Sequence, residues 1–105
     1  MPQNPLNAPV GMKYGHVSNA GTLTCKAAPG AIKTFVINSA SSGATVTLID
    51  AVNSSGTTDI GVITLGAAVT TPQVVSYGGE GVAVTFNTGL TIVSTGTIDG
   101  TVVYR

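Results

Sequence analysis

The sequence predicts an all-β protein: an antiparallel β-sandwich of about eight short strands behind an extended N-terminal arm. Three observations carry this expectation. Thr, Val and Ile supply 37 of the 105 residues, and their β-branched side chains suit a pleated surface. Short apolar runs are punctuated by Gly, Pro, Asn and Ser, the grammar of strands and turns. No window sustains a 3.6-residue period between helix caps. Eight or so strands in roughly 90 residues is the density of a sandwich or barrel. Two strand orders satisfy the pattern, one jelly-roll-like and one immunoglobulin-like.

Residues 1–13 form the arm. Pro2, Pro5 and Pro9 lie among Asn, Gln and Ala, and each Pro pushes its predecessor towards extended geometry. Leu6, Val10 and Met12 give the arm apolar surface to bury when it docks. Residues 14–105 then form one sandwich domain. A short strand is expected near residues 16–18. Residues 22–26 alternate, with Leu23 and Cys25 on one face. A strand over 32–38 follows the Pro29-Gly30 turn. Residues 44–50 follow Ser41-Ser42-Gly43 and point Val46 and Leu48 inward. A polar loop at 53–58 leads to a strand over 59–65, and Pro72 precedes another over 73–77. The Gly78-Gly79-Glu80-Gly81 turn ends it. Val82, Val84 and Phe86 alternate with Ala83 and Thr85. Asn87-Thr88-Gly89 reads as a hairpin loop with Gly89 placed for positive φ. Leu90 and Ile92 share the next core face. Asp99-Gly100 reads as a turn before a last strand at 101–104.

Charge sets the surface. Only 8% of residues are charged, the formal net charge is zero and there are 4 basic side chains. A nucleic-acid binder needs a cationic footprint that this chain lacks. One Cys excludes an internal disulfide framework. A hydrophobic content of 43% excludes a disordered chain. No apolar run reaches the roughly 20 residues of a membrane helix, and the first residues show no signal-peptide pattern. The chain is expected to be made in a host cytoplasm. Sheet edges are normally blunted by charge or Pro, and both are scarce after residue 13. Coverage of the edges by another chain is therefore expected, in a homo-oligomer.

Residues that carry chemistry are few. His16 and Cys25 are the single His and the single Cys. In phase with Leu23, Cys25 reads as a small core hydrophobe, and His16 as a half-exposed edge residue. Asp50, Asp59 and Asp99 border turns, where carboxylates accept backbone hydrogen bonds; Glu80 lies in the Gly-rich turn. That turn lacks the spacing of a phosphate-binding loop. Asn53-Ser54-Ser55 fits a glycosylation sequon and reads as a polar turn. No metal-ligand spacing, no nucleophile–base pair and no carboxylate pair stands out. The expectation is a non-enzymatic protein without cofactor or metal.

The layout resembles small capsid decoration (cement) proteins of tailed bacteriophages. Gly15-His16-Val17-Ser18-Asn19-Ala20-Gly21 opens the module after the Pro-rich arm. Ala28-Pro29-Gly30 leads into the next strand. Ala44-Thr45-Val46-Thr47-Leu48-Ile49-Asp50 precedes a Ser/Gly loop. Val84-Thr85-Phe86-Asn87-Thr88-Gly89-Leu90-Thr91-Ile92-Val93 precedes Gly96, and Thr101-Val102-Val103-Tyr104-Arg105 follows. The resemblance spans nearly the whole chain and rests on strand and turn grammar. It implies a virion protein on the outer capsid surface, favouring a trimer, that bridges neighbouring major capsid subunits. Pro2, Pro5, Leu6, Pro9, Val10 and Met12 are the expected contacts to the capsid or a neighbouring subunit. The competing expectation is a tail-associated or head-fibre module that recognises a host glycan, with Tyr14, Tyr77 and the loops at 53–58 and 66–72 as its candidates.

Overall fold

Alternation of β-branched residues with polar ones produces nine strands among the described residues, and their pairing produces two antiparallel sheets. A computed structural model describes residues 13–77 and 84–105. The strands are β1 (Lys13–Ser18), β2 (Gly21–Lys26), β3 (Gly30–Ala40), β4 (Thr45–Ile49), β5 (Asp59–Thr64), β6 (Gln73–Ser76), β7 (Val84–Phe86), β8 (Leu90–Thr95) and β9 (Ile98–Tyr104). The front sheet has the order β1-β9-β3-β6, with β7 also on β3; the back sheet has the order β2-β8-β4-β5. The six expected arm residues, Gly78 to Gly81, Val82 and Ala83 lie outside the described residues.

β6 and β7 together make one interrupted strand. β6 pairs with Thr34–Ile37 of β3 and β7 with Gly30–Ile32, both antiparallel. Lys33 is the extra residue of a bulge against β9, and its carbonyl accepts the Tyr77 N–H at 2.8 Å. β6 and β7 thus lie end to end along β3. Counted as one strand, β6/β7 completes the jelly-roll winding: first with last, second with second-last, third with sixth, fourth with fifth. Of the two strand orders open to the sequence, the structure has the jelly roll.

The inward faces meet in a core of Ile32, Phe35, Ile37, Val46, Leu48, Phe86, Leu90, Ile92, Ile98 and Val102, all essentially buried. Val46 and Leu48 point inward as expected, and Leu23 and Cys25 pack partly buried against the core. Two expected turns are corrected. Asp99 and Gly100 lie inside β9. The turn is earlier, at Gly96, whose φ of 79° suits Gly. Gly100 faces the core under the Phe35 ring, where an added Cβ would come within 2.8 Å of it. Asn87-Thr88-Gly89 is not a hairpin loop: it carries the chain from β7 in the front sheet to β8 in the back sheet. Gly89 is not among the positive-φ residues. It is Gly because the chain passes so close that a Cβ would lie 2.6 Å from the Lys26 carbonyl oxygen. Val84 lies on the same face as Phe86, opposite the buried Ile32, yet is 38% exposed where Phe86 is buried.

Candidate interaction surface

The two outer faces differ. On the back sheet, register aligns Thr22, Val93, Thr47 and Val62 in one row and Thr95, Thr45 and Thr64 in the next. The hydroxyls of this face bond to each other: Thr45 Oγ1 and Thr95 Oγ1 stand 2.5 Å apart, and Thr24 and Thr91 Oγ1 atoms 3.3 Å. The loop after β4 folds over one end of the face, where Thr91 is buried and donates to the Ala51 carbonyl at 2.9 Å. Cross-strand Thr pairs stabilise a sheet, and they leave few hydroxyls seeking partners.

The front sheet presents aromatic and aliphatic surface instead. One row is Tyr14, Val103, Thr34 and Ser76; the next is His16, Thr101, Val36 and Val74. Tyr14 is 74% exposed and Val74 66%, and Val36 and Val103 between them are half-buried. The two rows contain no Lys, Arg, Asp or Glu. The back face exposes Val62 at 57% among threonines, whereas the front face exposes an aromatic ring and a Val in adjacent rows; such apolar groups on a protein with few charges mark an interaction surface.

One polar cluster borders this face. Asp99 Oδ1 accepts from Asn38 Nδ2 at 2.9 Å and lies 3.2 Å from His16 Nε2. Asn38 is the second bulge residue of β3, and a bulge re-aims its side chain. The Asn38 bond, then that of His16, holds the Asp99 carboxyl below the usual carboxylate range. His16 is half-exposed on edge strand β1, as expected. Cys25 lies on the opposite side of β1, where a Cβ on Gly15 would meet its Sγ at 3.1 Å. His16 and Cys25 therefore do not converge. Burial pushes the Cys25 thiol up to about 11. Cys25 is the bulge residue of β2, and its carbonyl accepts the Tyr104 hydroxyl at 3.1 Å.

The other candidates fall elsewhere. Asp50 is bound to backbone, though not of its own turn: it accepts N–H bonds from Asn87 at 2.9 Å, Thr88 at 2.7 Å and Gly89 at 3.2 Å. These bonds, that of Asn87 foremost, lower its pKa. Asn53 Oδ1 accepts the Ser55 N–H at 2.9 Å, the polar turn expected there. Tyr77 is half-buried, with its hydroxyl 2.7 Å from where a Cβ on Gly61 would stand, and burial raises its pKa. Tyr14 remains as an exposed ring. Among the described residues no three His, Cys, Asp or Glu side chains gather as metal ligands would. A recess of about 270 Å³ opens beside the β1–β2 turn, lined in part by Asn19, Leu23, Ile92 and Ser94; the Ser94 hydroxyl already donates to the Asn19 carbonyl at 2.7 Å.

The row Tyr14–Val103–Thr34–Ser76 was missed by sequence reasoning, because it joins four strands through a register that only the jelly-roll order sets. The alternation of Tyr14 and His16 against Val17 was the one local signal for it. Compared with known proteins, the chain matches no family model, no curated protein and no solved structure.

Proposed function

We propose that this chain is a virion structural protein of the capsid decoration (cement) class, which binds the outer capsid surface and bridges neighbouring major capsid subunits. The observation that carries the reading is the front face, where Tyr14 and Val74 stand exposed in two rows free of Lys, Arg, Asp and Glu. A rigid sandwich with such a face adheres by apolar burial and shape. The resemblance in strand and turn grammar supplies the class of partner, and the arm with Leu6, Val10 and Met12 supplies a second contact.

The test is binding to purified expanded shells. The double variant Tyr14→Ser and Val74→Ser should keep its circular dichroism and lose shell binding by about tenfold or more, the worth of ~1.4 kcal/mol. Undiminished binding would remove the front face from the account. The second reading, a glycan-recognising tail or head-fibre module, is favoured by the exposed Tyr14 ring, which could stack on a sugar. In that case Tyr14→Ser would abolish binding to host glycans, and shells would not bind the wild type.

A further inference from the structure

We infer that the segment Leu6–Met12 of one copy adds as a strand to the free edge of β5 in a second copy. The β5 edge comes first. Among the described residues, β5 ends the back sheet and is paired only to β4. Its register is regular from Gly61 to Thr64 after a bulge at Ile60, and it contains neither Pro nor Lys. The opposite edge of the same sheet carries a bulge at Cys25 and ends in Lys26. On the front sheet, β6 and β7 are short, four and three residues, and β1 begins with Lys13. β5 has its own bulge at Ile60 and the charge of Asp59 at its start, so protection alone does not separate it from β2; either edge can accept another strand, and the flank decides.

The flank beside β5 is also open. Ile60, Ile63, Val75 and Tyr77 are only partly buried against the core there. Among the described residues, the β1/β2 flank offers Leu23 and Cys25. An added strand with an apolar inward face would complete the first flank better than the second.

The N-terminal sequence has the matching period. Leu6, Ala8, Val10 and Met12 alternate with Asn7, Pro9 and Gly11. In a strand, the side chain and the backbone N–H both alternate with period two. Residues 6, 8, 10 and 12 can thus turn apolar side chains inward and N–H groups towards β5. Pro5 and Pro9 both fall on the other parity, where the N–H would face solvent and is not needed. That is where Pro is tolerated on an edge strand.

Chain connectivity selects the recipient. Met12 is bonded directly to Lys13, which opens β1, and β1 is the far edge of the front sheet from β6. Three inter-strand spacings, about 14 Å, separate those edges. A segment paired along β5 of its own molecule would leave no residue to span that gap. The recipient is a second copy, and arms passed from copy to copy give a ring where the rotation closes and a filament where it does not. This inference stands on the edge and the arm, and does not rest on the decoration reading.

The test uses the full chain with single Pro substitutions in the arm. Ala8→Pro removes a donor of the parity that pairs; Asn7→Pro removes one of the parity that faces solvent. Both positions precede β1 in the sequence. Light scattering after size exclusion should show an oligomer for wild type and for Asn7→Pro. Ala8→Pro should weaken self-association by about tenfold or more and speed hydrogen exchange at the amides of Gly61–Thr64 while leaving β1 unchanged. A wild type that is monomeric at all concentrations overturns the inference. So does an equal response of the two variants, or protection that changes at β1 instead of β5.

Discussion

Asp50 shows how one side chain joins two distant parts of the chain. It stands just after β4 and caps three backbone N–H groups of the 87–89 crossing. Its folded-state pKa lies below the ordinary value of about 3.9, so the unfolded chain takes up the proton first as pH falls. The contribution is complete above that value and is lost as pH drops through the folded pKa. Asp99 behaves likewise through Asn38 and His16. The melting temperature should therefore fall on acidification below about pH 4. Asp50→Asn should lower it by several degrees at neutral pH and flatten that acid slope; a slope as steep as wild type would show that the carboxylate does not supply it. The sequence marked Asp50 as a turn carboxylate. It held no sign of which turn, because the partner lies 37 residues on, across both sheets.

At the scale of elements, local pattern was legible and long-range geometry was not. Residues 44–50 announce β4 with Val46 and Leu48 inward, because a period of two needs no tertiary information. Gly89 and Asp99-Gly100 misled because a Gly can answer several demands. Gly89 serves a close backbone approach instead of positive φ, and Gly100 makes room for a ring. Gly89→Ala should therefore destabilise the fold by about 1–3 kcal/mol, as overpacking does, since the atoms it meets are the carbonyl oxygens of Lys26 and Ala51. Denaturant titration measures this, and a stabilised variant would contradict the crowding. The bulges at Cys25, Lys33 and Asn38 were likewise invisible in sequence. Each then acts in a named bond: the carbonyl of Cys25, the carbonyl of Lys33 and the side chain of Asn38.

For the whole molecule, charge is segregated along the strand axis. Lys13, Lys26, Lys33 and Arg105 all lie towards the end where β3 begins, together with Asp50 and Asp59; Asp99 lies towards the other end. The loops at the opposite end, 19–20, 41–44, 65–72 and 96–97, contain no charged residue. Docking through the front face should accordingly change little with salt, although the Debye length shrinks from ~10 Å at 0.1 M to ~3 Å at 1 M. Shell binding that collapses over this range would point to the charged end instead. The winding has a further consequence, in time instead of space. β1 is held by β9, so residues 13–18 have no lateral partner until residues 98–104 have been synthesised. A ribosome delivers those some 80 residues later, about 4–16 s at ~5–20 residues per second. All-β chains of such non-local pairing also close in milliseconds to seconds. Through that interval β1 waits as an unpaired edge, and a nascent chain that stalls before β9 exposes the same strand to any neighbour.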